Sequence, residues 1–384
     1  MDSETQHLVQ TIHDHSAKLI MVTAGAGTQA LSDLLGVPGA SRTLLEALVP
    51  YSEAAFDDFL GQTPPKYVDA NTAKLMAGRA LTRARWLCNK QLPLIGLACT
   101  ATIITDRPKK GEHRAHIATW QNERLVHTKI RLQKGARDRV GEEDVVSRLM
   151  LNTFASACGL AQQLPIPLLP GDSLIVDESN FATAAQKLHQ HESDFFAISA
   201  HGRLRIKNVS PPLLLSGAFN PLHEGHLALA QTAASLWNQP IAFELAAMNV
   251  DKPPLSPEII LDRVAQFAGR WPIYVTNAPT FTEKARLFPG ATFVVGYDTA
   301  VRILHPRYYN HSRQEMMAAL TEVQQQGCRF LVGGRLDDTG TFQDINALHI
   351  PADLQGLFIG IPADKFRSDI SSTELRATGR KGSR

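Results

Sequence analysis

Between residues 211 and 384, short apolar runs alternate with stretches whose apolar positions recur every three to four residues. The runs at 213–216, 241–245, 273–276, 292–295, 330–332 and 358–361 have the length of buried strands. Helical spacing fills 223–237, 257–269, 281–288, 299–304 and 313–326. This alternation predicts right-handed βαβ units and a parallel, doubly wound sheet, whose ligands bind in loops at the carboxyl ends of the strands.

The first 160 residues predict a second α/β unit. A strand at 19–22 opens into the glycine-rich turn Thr23-Ala24-Gly25-Ala26-Gly27-Thr28, with helices at 29–35 and 72–87 and a strand at 92–99. A hairpin is expected at 115–120 and 124–132, with Val126, Thr128, Ile130 and Leu132 on one face and His127, Lys129 and Arg131 on the other. A helix at 145–160 closes the unit. Pro165, Pro167 and Pro170 then rule out a continuing helix or central strand, so this stretch reads as a connector. The predicted organisation is a domain at 1–164, a bridging segment at 165–210 with short strands at 173–176, 195–199 and 203–207 around a helix at 184–191, and a domain at 211–384.

With 44% hydrophobic and 20% charged residues, the chain has enough to bury for two such domains. A net charge of +2 leaves no electrostatic footprint for nucleic acid or an acidic membrane surface, and no apolar run approaches the roughly 20 residues of a membrane span. Met1-Asp2-Ser3-Glu4 lacks the features of a signal peptide. Cys88, Cys99, Cys158 and Cys328 are scattered without a C-x-x-C pair, as expected of buried free thiols in a reducing compartment. A cytoplasmic location is expected, without nucleic-acid or membrane partners.

The densest chemistry lies in Ser216-Gly217-Ala218-Phe219-Asn220-Pro221-Leu222-His223-Glu224-Gly225-His226. A buried strand breaks at a glycine and re-enters order as a helix near His223. Gly217 allows close approach of a ligand to the backbone, and Pro221 stiffens the turn. His223 and His226 project from one face at the positive end of the helix dipole, where amide groups already favour an anion. The pattern is a polyphosphate cradle. A zinc pair is the competing reading, but no third ligand lies at suitable spacing, and no metal ligand is assigned.

The motif G-x-F-N-P-x-H-x-G-H resembles the signature of the nucleotidylyltransferases with the H-x-G-H motif, and this half resembles nicotinamide-nucleotide adenylyltransferases more closely than pantetheine-phosphate or cytidylyl relatives. Asp369-Ile370-Ser371-Ser372-Thr373-Glu374-Leu375-Arg376 resembles the same family's I-S-S-T-x-x-R segment. The resemblance implies a Rossmann-like domain. His223, His226 and Arg376 would stabilise charge in the reaction; Gly217, Ala218, Phe219, Asn220, Ser371, Ser372 and Thr373 would bind the nucleotide. The Ser-Ser-Thr-Glu run also reads as a helix cap and capping box. Three further segments fit the same site. Lys252 reaches a phosphate or stays a solvated loop lysine. Gly296-Tyr297-Asp298 resembles the family's G-x-D and places Asp298 on a ribose hydroxyl or at a helix N-cap. Arg335, in Gly333-Gly334-Arg335, is a second phosphate ligand or a surface residue. Many relatives carry Ser or Thr where this chain has Ala218, so one hydroxyl contact is missing.

In the first half, Leu35-Gly36-Val37-Pro38-Gly39-Ala40-Ser41, Val49-Pro50-Tyr51-Ser52, the helix at 73–85 and Ile95-Gly96-Leu97 resemble the C-terminal domain of CinA proteins, over residues 5–163. That domain in its active form is a nicotinamide-nucleotide amidohydrolase. Here the family's nucleophilic serine falls on Ala24 and its lysine on Phe56, while Ala98-Cys99-Thr100-Ala101-Thr102-Ile103 replaces its glycine-rich loop. Without nucleophile or activator the expectation is a catalytically silent domain, left to bind a nucleotide, build a homo-oligomer or scaffold.

Together these resemblances imply an ATP-dependent nucleotidyltransferase, with nicotinamide mononucleotide (NMN) favoured as the small phosphorylated acceptor, NAD and pyrophosphate as products, and Mg²⁺ carried on the ATP phosphates. A cytidylyltransferase or another phosphate-ester adenylyltransferase is the alternative within the class. A nucleotide-binding sensor without turnover is the alternative outside it, and residual amidohydrolase activity in the first half is a third reading.

Overall fold

The computed structural model describes residues 1–88, 92–107, 110–207, 211, 213–248, 253–337 and 340–367. The chain begins with α1 (Ser3–Asp14), capped by Asp2, whose carboxylate accepts the Thr5 N–H at 2.7 Å. There follow β1 (Lys18–Ala24), α2 (Thr28–Gly36), α3 (Ala40–Thr43), β2 (Leu44–Leu48), α4 (Glu53–Leu60) and α5 (Ala70–Leu87). Next come β3 (Leu94–Thr102), β4 (His113–Trp120), β5 (Arg124–Leu132), α6 (Arg139–Ala157) and β6 (Ser173–Asn180). Their sheet runs β2-β1-β3-β4-β5-β6, parallel across the first three strands and antiparallel from β3 onward.

The second half contributes α7 (Phe181–His189), β7 (Phe195–Ile198), β8 (Leu204–Arg205), β9 (Leu213–Ser216), α8 (Glu224–Trp237) and β10 (Ile241–Ala246). α9 (Pro257–Val264) tightens into a 3₁₀ turn at Ala265–Phe267, before β11 (Ile273–Thr276), α10 (Phe281–Leu287), β12 (Thr292–Gly296) and α11 (Tyr297–Ile303). α12 (Arg313–Gln325), β13 (Arg329–Gly333), a small ribbon of β14 (Arg335–Leu336) and β15 (Phe342–Gln343), and β16 (Phe358–Gly360) complete the described part. The large sheet runs β16-β13-β12-β9-β10-β11-β7-β8. Its first six strands are parallel, with β9 flanked by β12 and β10, so strand order reverses at β9.

The sheet departs from an all-parallel one at one edge, where β7 pairs antiparallel with β11 and β8 with β7. Both strands come from the bridging segment, which is shared between the two sheets: β6 extends the first and β7–β8 the second. Pairing with β6 also changes the expected polar face of β5. His127 is 5% exposed; its Nδ1 bonds Asp177 at 3.0 Å and its Nε2 meets His116 Nδ1 at 3.1 Å. Lys74 on α5 pairs with the same aspartate at 3.2 Å. Of the four cysteines, all free thiols, only Cys99 and Cys328 are buried; Cys88 and Cys158 are partly exposed.

The two halves share one apolar cluster that runs from Trp120 and Leu125 through Phe181 and Phe196 to Phe243 and Phe267. At its centre α5 meets the turn after α9 backbone to backbone. A Cβ at Gly78 would lie 2.3 Å from the Gly269 nitrogen, and one at Gly269 would lie 2.4 Å from the Arg79 nitrogen. Beside this contact the Arg85 guanidinium bonds the Asp262 carboxylate at 2.8 Å and its carbonyl at 3.0 Å.

Gly78→Val is therefore expected to force α5 from α9 and cost about 2 kcal/mol or more, read as a lower urea midpoint; an unchanged midpoint would show that the seam can open without loss. A pH dependence follows from the buried imidazoles. Burial pushes His127 down and, with the His127 charge beside it, holds His116 at about 4. Unfolding restores the ordinary value near 6.5, so the unfolded chain takes up protons first and stability falls as pH drops below about 6.5. The thermal midpoint should decline from pH 7 to pH 5, with a shallower decline in His116→Gln.

Candidate active site

β9 ends in the centre of the large sheet, and the chain turns through residues 217–222 before α8 starts. The Gly217 N–H donates to the Glu244 carbonyl at 3.0 Å, tying the turn to β10. Phe219 stands at φ +44° with its ring buried among Phe243, Phe267 and His226. A Cβ at Gly217 would lie 2.7 Å from that ring. The glycine is thus demanded by Phe219, in addition to the expected approach of a ligand. The Asn220–Pro221 peptide is cis.

Three bonds from the α9 region hold this turn. The Gln266 amide oxygen accepts the Leu222 N–H at 2.9 Å, its NH₂ donates to the Phe219 carbonyl at 2.9 Å, and Arg263 donates to the Ala218 carbonyl at 3.2 Å. His223 is the N-cap residue of α8 and His226 sits in its first turn. Their rings stack with centroids 3.6 Å apart at 27°. The His223 N–H donates to His226 Nδ1 at 3.3 Å, so the proton of a neutral His226 ring resides on Nε2. Burial, and then the His223 charge, pushes His226 down to about 3; burial lowers His223 as well. At neutral pH the pair offers ring N–H donors rather than fixed positive charges.

Beside the turn lies a cavity of about 480 Å³. From the expected set it takes Gly217, Ala218 and Asn220, whereas Phe219, His223, His226, Gly296 and Asp298 lie outside its lining. Arg263, Lys284 and Arg302 bring cations to its wall, and no carboxylate among the described residues lines it. Ser216 also lines it; its Oγ is buried and meets no hydrogen-bond partner among the described residues. That hydroxyl lies two residues before Ala218, which carries none.

Behind the wall, Lys284 bonds the fully buried Glu244 at 2.7 Å, and Thr276 donates to the other Glu244 oxygen at 2.7 Å. Sequence reasoning missed this pair. Its signal was a charge inside the apolar strand run Ile241-Ala242-Phe243-Glu244-Leu245-Ala246, which demands a partner. Arg263 and Arg302 gave no such signal, since charged residues on helices usually face solvent.

Asp298 and Arg335 are brought together as an ion pair beyond β12 and β13. Asp298 is not an N-cap: Gly296 caps α11, and Asp298 lies in its first turn. Lys252, Ser371, Ser372, Thr373 and Arg376 lie outside the described residues. Among the described residues no group of three His, Cys, Asp or Glu could hold a metal ion, and no helix is long and apolar enough to cross a membrane.

This strand–turn–helix, at the point where strand order reverses and with paired histidines at the helix start, has a counterpart among known families. Residues 214–378 match a family described as cytidylyltransferase-like. The cytidylyltransferase-like match contains the histidine turn, the cavity and the Ser371–Arg376 segment, and it supports nucleotidyl transfer as the class of activity. No curated protein matches the chain. Among solved structures, the chain is similar to a competence/damage-inducible protein from Agrobacterium tumefaciens, with 21% identity, 41% of this chain and 97% of that one covered, and a TM-score of 0.34. It is also similar to a CinA superfamily protein from Escherichia coli, with 14% identity over 40% and 87% of the chains and a TM-score of 0.30. A competence or damage-inducible protein from Enterobacter asburiae matches with 16% identity over 41% and 94% and a TM-score of 0.31.

Removing one partner of the buried Glu244–Lys284 pair should strand the other. Lys284→Met and Glu244→Gln are each expected to cost about 3–5 kcal/mol in urea unfolding, with the double variant recovering part of the loss. Single variants as stable as the parent would mean that the pair is not closed.

Proposed function

We propose that the C-terminal half is an ATP-dependent nucleotidyltransferase that joins ATP to NMN, giving NAD and pyrophosphate. The observation that carries the reading is the stacked histidine pair at the start of α8, which follows a turn held by Gln266 and lies beside a cavity with Arg263, Lys284 and Arg302 on its wall. An oxygen of the acceptor phosphate attacks the α-phosphorus of ATP; the bond to the β-phosphate bridging oxygen breaks, and pyrophosphate leaves with that electron pair. The nucleophile is already an anion, so no general base is needed, and the protein's work is positioning and stabilising charge. His226 Nε2–H and the His223 ring would donate to phosphate oxygens, the α8 N-terminus would add its dipole, and Arg376, with the hydroxyls of Ser371, Ser372 and Thr373, would complete the grip on the triphosphate. Lys252 would add a phosphate contact from its loop.

Magnesium would arrive on the triphosphate, in keeping with a cavity wall whose described residues include Arg263, Lys284 and Arg302 and no carboxylate. The choice of NMN rests on the two resemblances of the sequence, to nicotinamide-nucleotide adenylyltransferases in the second half and to a nicotinamide-nucleotide family in the first. The first half is proposed as a non-catalytic domain, with Ala24 in the nucleophile's place and Phe56 packed into the core at 3% exposure. Homo-oligomerisation through that half and a cytoplasmic location belong to the same proposal. The sensor alternative draws on Ala218 and on the first half without its nucleophile, and would keep nucleotide binding while abolishing turnover.

The test is pyrophosphate release with MgATP or MgCTP against NMN, phosphopantetheine and phosphocholine. MgATP with NMN should give the highest turnover, and His223→Ala should lower it by about two orders of magnitude or more. Preference for MgCTP or another acceptor would move the assignment within the class. Tight nucleotide binding with no pyrophosphate from any pair would favour the sensor.

A further inference from the structure

A second cavity, of about 580 Å³, opens between α4 and α5 beside the end of β2. Leu48, Val49, Phe59 and Trp86 supply apolar and aromatic wall, and Arg79 and Arg83 supply guanidinium groups. Ala24 and Phe56 are not on it, and none of its lining residues comes from the second half of the chain. It is therefore separate from the nucleotide cavity and from the position of the absent nucleophile.

The two arginines differ. Arg83 is satisfied by Glu46, which its fork grips with one contact at 2.6 Å. Arg79 uses one donor, its Nε–H, on the Phe59 carbonyl at 3.1 Å, and no carboxylate among the described residues lies within ion-pair distance of it. Asp58 lines the same wall without closing on it. Burial, with Arg270 and then Arg83 beside it, holds the Arg79 guanidinium down at about 10, so it remains charged at neutral pH. A guanidinium carries five N–H donors in a planar fork that matches a carboxylate or phosphate edge, and a partly buried cation with an open fork is stabilised when an anion fills it. The cavity is of the size that holds small ligands, with flat aromatic surface near the charge.

We propose that this cavity is a binding site for a small aromatic anion, its charged head on the Arg79 fork and its ring against Phe59 and Trp86. The shared chemistry is a planar ring with an oxyanion; whether the head is a carboxylate or a phosphate is read by the choice of probe.

The experiment is isothermal titration of the full chain with 2-naphthoate and, separately, with 2-naphthyl phosphate. At least one probe should bind one to one, and the tighter identifies the head group. Arg79→Met should weaken it about tenfold or more, the scale of a lost charge-assisted bond, and Arg79→Lys should restore only part because the fork is gone. Ala55→Trp, at an exposed point of the lining, should block the site without touching Arg79 and serves if Arg79→Met does not fold. Binding should persist in His223→Ala and under saturating MgATP, whatever the outcome at the nucleotide site. Absence of stoichiometric binding by both probes, binding that survives both Arg79→Met and Ala55→Trp, or binding abolished by MgATP would overturn the proposal.

Discussion

One carboxamide holds the histidine turn at both ends. Gln266 accepts from Leu222 and donates to Phe219, at 2.9 Å each, and thereby fixes where α8 begins. Each such bond contributes on the order of 1 kcal/mol, yet together they decide whether two backbone groups of a loop face protein or water. With Phe219 pinned, its ring lies edge-on to His226, and His226 in turn receives the His223 N–H. The stacked imidazoles are thus the end of a chain of contacts that starts on the α9 turn.

That turn belongs to both halves of the molecule. Gly269 lies against Gly78 and Arg79 of α5, and Asp262 is held by Arg85, one residue from the Arg263 that bonds Ala218. The first half thereby shapes the histidine turn of the second, by backing the element that holds its loop. At neutral pH the histidine pair is uncharged: burial lowers both rings, and the His223 charge lowers His226 further, so the turn presents hydrogen-bonding groups rather than a cation pair.

Much of the second sheet was legible because each buried strand is a short apolar run bounded by amphipathic helices; β9, β10 and β11 begin where the pattern predicts. The elements that periodicity passed over had weaker signals. β2 is an edge strand, partly exposed at all five residues, and α4 buries only Phe56 and Leu60. β7 and β8 were visible as segments, but their sheet depended on long-range pairing with β11 that no local pattern encodes. At the site, the glycine, the histidines and Asn220 stood out as a local motif. Gln266, Arg263 and Ser216 did not, because their roles come from a helix and a strand end meeting a loop that lies far off or turns back in the chain.

Gln266→Leu removes both side-chain bonds of the clamp and leaves the rest of the turn intact. The dissociation constant for MgATP, measured by calorimetry on parent and variant with circular dichroism to confirm an intact fold, is expected to rise about tenfold or more as the turn loses both of its bonds to Gln266. Unchanged MgATP affinity in a folded Gln266→Leu chain would contradict the claim that this side chain positions the histidine pair for phosphate.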